Sequence, residues 1–461
     1  MKKIYIYLYI LLQLFHFSYS AGRLIFLYTH FRHGARGPNQ LNNNNIDRLG
    51  EKWEGLGEIT GVGERMQYLL GLRNRKKYIE QEKFLPEKFD PHQMLIFTSS
   101  LNRTIVSCYS QLQGLYPQRV NLGKTLTKEQ EEIAYPPILN ELKEKDADIE
   151  QVIKELGDSA LPHRMMIAPI KIMNENEIIM GLHDYGECAE KIKKIKDKNE
   201  QTKEFGEITD KFNEKYAEKW NKFFKKEKNK FKVKEIKKIC SEFLCDYTDK
   251  RKMKEFKDKT GLNIDILKED CLNYYKMYYI YVNHGDEEKI LAHVDSSKIM
   301  RQLLYYMKRR LDVDIKEVNE DLNFKDYSRP RYIMISGHDI TVSADIVLLI
   351  KAFGLDMTTT FQFPKYASQF VLEVRTNLNK CNSYSDYYIV GYFDNTELFN
   401  INAEEFINKV EKEIWTAQQV DEYCGIQSNN KDNKSNKTIT AKIFMSILVC
   451  FGFIFIMKYF S

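Results

Sequence analysis

The sequence predicts an α/β/α sandwich core with a mostly parallel sheet and an inserted, mainly helical cap. Three observations carry this. Apolar runs at Leu24 to Tyr28, Gln93 to Phe97 and Arg331 to Ser336 have the length and composition of strands buried on both faces. Each run ends in a polar turn and leads towards a stretch with helical apolar spacing, the alternation of a sheet covered by helices. Between residues 120 and 285 glycines thin out and charge rises, and residues 191–259 are largely lysine, glutamate and scattered aromatics. That texture is one of solvated helices.

The first run leaves the sheet in Phe31-Arg32-His33-Gly34-Ala35-Arg36-Gly37-Pro38. Arg32 and Arg36 repel each other and a protonated His33, so an anion belongs between them. Gly34 and Gly37 free the backbone to approach it. In open α/β sheets this strand end is where ligands bind, and two guanidiniums around an imidazole suit a phosphoryl group. Thr60 reads as the N-cap of a helix with an apolar stripe of Val62, Met66, Leu69 and Leu70 and a solvated basic end of Arg73, Arg75, Lys76 and Lys77. The second run delivers Arg103 to another strand-to-helix turn, where a lone arginine is more often a surface residue.

Within the insert, Phe212, Tyr216, Trp220, Phe223 and Phe224 recur at near-helical spacing and mark a small core rather than a base-stacking platform. Asp295 reads as the N-cap of a helix striped by Ile299, Leu303, Leu304, Met307 and Leu311. The third run places Gly337-His338-Asp339 before an apolar helix from Thr341 to Phe353 that Gly354 closes. Free N–H groups and the helix dipole favour an anion there. Tyr366 to Val374 and Tyr387 to Phe393 read as a hairpin at a sheet edge.

At 461 residues and net charge +5, the chain has room for two or three domains and lacks the basic, aromatic-interleaved patch of a nucleic-acid binder. Residues 1–20 read as a signal peptide. The α/β core then spans 21–119 and 286–425, the cap 120–285 and a polar linker 426–442. The apolar segment 443–457 reaches about 22 Å as a helix, so spanning a bilayer requires residues 439–442 as well. Such a tail is either a transmembrane anchor or a GPI signal cut near Ser428-Asn429-Asn430. Both put the body on the lumenal or extracellular side, at the cell surface, lysosome or another acidic vacuole. Of eight cysteines, Cys108 and Cys450 are expected unpaired. Cys188, Cys240, Cys245, Cys271, Cys381 and Cys424 remain, with 15 possible connectivities. No spacing points to a metal site, and no cofactor is expected. Asn433 and Asn436 lie in glycosylation sequons; a glycan on Asn102 would block the anion site beside Arg103.

Arg32, His33 and Arg36, then Arg103, then His338 and Asp339 supply what metal-free phosphoryl transfer requires. A neutral imidazole attacks phosphorus in line, cations neutralise the equatorial oxygens, and a carboxylic acid protonates the departing alkoxide. The chain resembles the histidine acid phosphatases, the branch of the histidine phosphatase superfamily that includes lysosomal and prostatic acid phosphatases and phytases. FRHGARGP fits that family's RHGxRxP pattern and SGHDITV its HD motif. GEITGVG, NRT before an apolar helix, and KYASQFVLEV resemble three further segments, so the likeness runs from about Arg23 to Cys424. The resemblance implies His33 as the phosphorylated nucleophile and Asp339 as proton donor. It also implies Arg32, Arg36, Arg103 and His338 as phosphate ligands.

Three departures accompany it. The family often has an arginine where this chain has Phe97, and the lysine-rich insert is poorly matched. The four residues after Met457 are too few for the tyrosine-based sorting tail of lysosomal acid phosphatase. The expected activity is hydrolysis of small phosphate monoesters. The alternatives are an inositol-polyphosphate phosphatase of phytase type and a catalytically silent phosphoester-binding membrane protein. Besides its small-molecule substrate, the chain admits a homodimer and membrane attachment through its tail, with no nucleic-acid partner.

Overall fold

The computed structural model describes residues 22–39, 53, 55–118, 122–134, 136, 147–173, 186–224, 230–250, 253–285, 290–316 and 330–425. Strand β1 (Arg23–Arg32) is buried throughout except at Arg23. It is longer than its apolar run because Thr29, His30 and Phe31 also lie inside, so the polar cluster begins within the sheet. With β2 (Met94–Ser99), β3 (Lys171–Met173), β4 (Tyr332–Gly337), β5 (Gln369–Thr376), β6 (Tyr388–Phe393) and β7 (Thr396–Asn402) it forms a seven-stranded sheet of order β3-β2-β4-β1-β5-β6-β7. β3, β2, β4 and β1 are joined in parallel, whereas β5, β6 and β7 alternate in direction. The expected hairpin is β5–β6, but it is not at an edge: β1 pairs its inner side and β7 its outer side. The opposite edge, β3, comes from within residues 120–285.

Successive side chains of β4 point to opposite faces, which defines the layers. Ile333 and Ile335 pack with Ile299, Leu303, Val342 and Ile346 from helices Ile290–Ile315 and Asp339–Phe353. Tyr332 and Met334 pack with Cys108, Leu112 and Leu115 of helix Asn102–Leu115. The sandwich is therefore three-layered, as its sequence predicts. The stripe from Ile299 to Leu311 is buried as expected, but Asp295 is a buried residue inside its helix rather than an N-cap.

Thr60 does cap helix Gly61–Arg75, its side chain accepting from the Gly63 N–H. The expected apolar stripe is not the buried one: Val62 and Leu69 are exposed, and Gly63, Gln67, Gly71 and Asn74 face inward. The reason is proximity. Cβ atoms added at Gly71 and Gly114 would strike the Gln111 and Tyr68 carbonyls, so two helix backbones lie nearly in contact and only small side chains fit between them. The basic end is not fully solvated either. Arg75 is buried, bonding the Leu115 carbonyl and pairing with Glu80, and Lys77 bonds the buried Glu373 carboxylate.

Among residues 120–285, helices Lys203–Phe224, Val233–Thr248 and Ile264–Tyr278 enclose Phe205, Phe212, Tyr216, Trp220 and Tyr274. The side chains of Phe223 and Phe224 lie outside the described set. Cys188–Cys424 and Cys240–Cys271 are disulfides, whereas Cys108, Cys245 and Cys381 are buried thiols. Four of the six candidate cysteines thus pair. Cys245 and Cys381 instead face hydroxyls, Tyr366 Oη and Thr376 Oγ1, each at 3.3 Å. The leader, the linker with its sequons, Cys450 and the apolar tail lie outside the described residues. Among the described residues no helix is long and apolar enough to cross a membrane.

The Gly61–Arg75 and Asn102–Leu115 contact gives a first test. Gly71→Ala must push the helices apart and is expected to cost about 2 kcal/mol in urea unfolding. Because the second helix carries Arg103, phosphate affinity should fall as well.

Candidate active site

Three parallel strands end side by side. In the β1–β4 register Arg32 lies opposite Gly337, and Thr98 of β2 lies opposite Ser336. The His33 N–H then donates to the Gly337 carbonyl at 3.0 Å, continuing the pairing one residue beyond β1. After β2 the chain turns into a helix on one face of the sheet, and after β4 into a helix on the other. The divergence opens a crevice at the C-terminal edge, the usual ligand position in such sheets. Residues from positions 32–36, 99–103 and 338–339 meet there.

His33 is buried, and its Nδ1 lies 2.8 Å from the Gly34 carbonyl oxygen. A carbonyl only accepts, so Nδ1 carries the proton and Nε2 keeps its lone pair. His338 is the N-cap of helix Asp339–Phe353, and its Nε2 contacts Ser99 Oγ at 3.0 Å. Ser99 Oγ is also 2.6 Å from Thr104 Oγ1, so hydroxyls of the second motif orient the second histidine. The two imidazole centroids lie 5.5 Å apart. Arg32 spans the site: one Nη donates to the Pro364 carbonyl at 2.8 Å, the other pairs with Asp339 Oδ2 at 2.9 Å, and its guanidinium lies 4.4 Å from the Tyr366 ring centre. Arg36 is held by the Gly37 carbonyl at 2.7 Å.

The electrostatics follow from crowding like charges in a buried volume. Burial first, then Arg32, Arg36, His338 and Arg103, push the His33 pKa well below the ordinary histidine value. Burial and Arg103 bring His338 down to about 3. Burial and Arg36 lower Arg103 to about 10. Burial opposes the ionised form of Asp339, yet Arg32, Arg36 and His338 outweigh it and hold the carboxyl below its usual range. The site therefore combines neutral imidazoles with an ionised Asp339 tied to Arg32, and its excess of positive charge suits an anion.

The sequence pattern of the histidine phosphatase superfamily, branch 2, matches residues 23–390. The chain belongs to that superfamily. It is 34% identical over 102 residues to human (Homo sapiens) prostatic acid phosphatase, covering 22% of this chain and 25% of that protein. It is 30% identical over 87 residues to Xenopus laevis lysosomal acid phosphatase, covering 19% of each. These matches span a quarter or less of the relatives' length. The fold resembles that of Hafnia alvei phytase, with a TM-score of 0.52 at 12% identity over 88% of this chain and 98% of that one. Klebsiella phytase gives 0.54 at 11% identity over 85% and 96%.

The structure brings all six predicted residues together, including Arg103, whose charge is felt at both histidines. Phe97, at the position where the family often has arginine, packs into the sheet core with Lys171 Nζ 5.8 Å from its ring centre. Sequence reading missed the residues that fix the site from behind. Gln67 Nε2 donates to the Arg32 carbonyl at 2.8 Å, and Cys245 Sγ lies 3.9 Å from Arg36 Nη1. Neither stands in a motif, since each acts through a contact distant in sequence. A cavity of about 500 Å³ opens on Arg32, Arg36 and Asp339 and is walled by Tyr247, Lys250, Lys268, Tyr275, Lys365 and Tyr366. A larger one, about 1080 Å³, lies at the far end of β1 around Gly22, Arg23 and Lys83, remote from this chemistry.

Removing Arg103 removes a charge that keeps His33 unprotonated. In Arg103→Ala the acidic limb of the kcat/KM profile should therefore move to higher pH, together with weaker inhibition by phosphate. An unmoved limb would mean that Arg103 does not act electrostatically on His33.

Proposed function

We propose that the protein is an acid phosphatase that hydrolyses phosphate monoesters through a covalent phosphohistidine on His33. The observation that carries this reading is the His33 ring. Its Nδ1–H is committed to the Gly34 carbonyl, and its unprotonated Nε2 sits among Arg32, Arg36 and Arg103. Nε2 attacks phosphorus, the P–O bond to the leaving group breaks, and the three arginines with His338 stabilise the equatorial oxygens. Asp339 gives its proton to the leaving alkoxide. Its carboxylate then takes a proton from the water that attacks phosphohistidine, the P–N bond breaks, and phosphate departs.

The Arg32–Asp339 ion pair connects binding to acidity. A bound phosphoryl group draws on the Arg32 guanidinium and sets negative charge beside Asp339, which raises the carboxyl's proton affinity from its depressed ligand-free state. Activity should be highest in acid, where Asp339 is then protonated while His33, with its lowered pKa, remains a nucleophile. The two disulfides fit an exported protein. A secretory or lysosomal setting, with the apolar segment 443–457 as membrane anchor, completes the proposal.

One observation favours a second reading. Lys250, Lys268 and Lys365 wall the cavity beyond Arg32 and Arg36, which suits a substrate with several phosphoryl groups, such as an inositol polyphosphate. Under that reading Lys250→Ala/Lys268→Ala lowers kcat/KM on inositol hexakisphosphate about tenfold while leaving a simple aryl phosphate within twofold. Equal effects on both would retain the simple monoesterase.

The decisive experiment mixes the full chain with a phosphorus-labelled monoester at mildly acidic pH and quenches in base, which preserves phosphohistidine. Label should map to His33, and Asp339→Asn should slow loss of an alkoxide leaving group by 100-fold or more, on the order of a general acid's contribution. Phosphate binding with neither label nor turnover would replace the enzyme by a silent receptor.

A further inference from the structure

Tyr28, His30 and Arg32 alternate along β1 and share the face covered by helix Asp339–Phe353. Each reaches a carboxylate on that helix. Arg32 meets Asp339, whereas Tyr28 Oη and His30 Nδ1 both lie 2.8 Å from Asp345 Oδ2. Ser296 Oγ donates to Asp345 Oδ1 at 2.6 Å, and both His30 and Asp345 are 0% exposed. The catalytic steps above use neither.

The other side of His30 leads to the site. Its Nε2 lies 3.0 Å from Thr341 Oγ1, which accepts the His338 backbone N–H at 2.9 Å. Asp345 accepts from Nδ1–H, so Nε2 can accept the Thr341 hydroxyl proton, which it shares with the His338 carbonyl, also 3.0 Å from Thr341 Oγ1. The bonds then run in one direction, from the His338 N–H through Thr341 and His30 to Asp345, an arrangement in which each bond polarises the next. Gly337 makes it possible: a Cβ there would collide with both His30 Nε2 and Thr341 Oγ1. The turn held by this chain carries His338 and, one residue on, Asp339.

We propose that His30, Asp345 and Thr341 are positioning residues that lock the His338–Asp339 turn and so aim the proton donor at the leaving group. Without the His30 bond the Thr341 hydroxyl is free to bond the His338 carbonyl alone, and the turn loses its tie to β1. Arg32, Arg36 and Arg103 stand outside this turn, so most of the binding of the phosphoryl group is retained, His338 losing only its share, while proton delivery suffers most.

The proposal rests on Asp339 being the acid, and the test separates the two. kcat/KM is measured for an alkyl monoester, glycerol phosphate, whose leaving group needs a proton, and for 4-nitrophenyl phosphate, whose leaving group needs little help. Thr341→Val, nearly isosteric, should lower kcat/KM on glycerol phosphate about tenfold and on the nitrophenyl ester about twofold or less, with phosphate inhibition, to which His338 contributes, weakened by about the same twofold or less. Thr341→Ser should stay close to the parent enzyme. His30→Leu should reproduce Thr341→Val, and the double variant should be no worse than either, as expected for one chain of bonds. Equal losses on both esters, or additive effects, would overturn the proposal. If Asp339→Asn itself lacks the alkyl selectivity, the acid assignment fails instead. Should His30→Leu not fold, the Val and Ser pair at position 341 decides alone.

Discussion

Parallel pairing of β1 with β4 is the constraint on which the site depends. The register that sets Arg32 beside Gly337 fixes how far His33 stands from His338, and the His33 N–H to Gly337 carbonyl bond extends the ladder to His33 itself. A slip of one residue would turn Tyr28, His30 and Arg32 to the opposite face and away from helix Asp339–Phe353. The β4–β2 register then adds Ser99 and Arg103 from the other side. Strand pairing, rather than loop conformation, therefore supplies the rigidity that the proposed phosphoryl transfer demands.

What the fold assembles there is electrostatically uncomfortable. At a surface-like effective dielectric two unit charges 4 Å apart interact by about 4 kcal/mol, and this crevice gathers Arg32, Arg36 and Arg103 around two imidazoles. The molecule relieves the repulsion by leaving His33 and His338 neutral and by giving Arg32 an internal counterion in Asp339. Both accommodations suit catalysis. Under the proposed mechanism a neutral imidazole is the nucleophile, and a carboxylate that loses its guanidinium to an incoming phosphoryl group becomes the proton donor.

The lysine-rich insert participates more directly than its solvated composition implies. Helix Val233–Thr248 brings Cys245 against Arg36 and Tyr366, and Tyr247, Lys250, Lys268 and Tyr275 wall the cavity above the arginines. The Cys188–Cys424 disulfide ties this stretch to the last described helix, Ala417–Cys424. The cavity above the arginines is thus lined jointly by residues of this stretch and by Phe363, Lys365 and Tyr366.

Sequence alone determined the architecture, because strands buried on both faces must be apolar and each stands out between polar turns. The six residues proposed for the site also stand in short motifs at strand ends, which is why the sequence singles them out and the fold brings them together. Tertiary structure decided what depends on distance rather than composition. Helix Gly61–Arg75 buries glycines instead of its Val62 and Leu69 stripe because the neighbouring backbone leaves no room for larger side chains. Cys245 and Cys381, candidates for pairing by sequence, are buried thiols that face hydroxyls. His30 and Asp345 read as an unremarkable histidine and a helical aspartate until β1 and helix Asp339–Phe353 pack together. A buried polar group must find its partner wherever the fold puts one, and no local spacing records that choice.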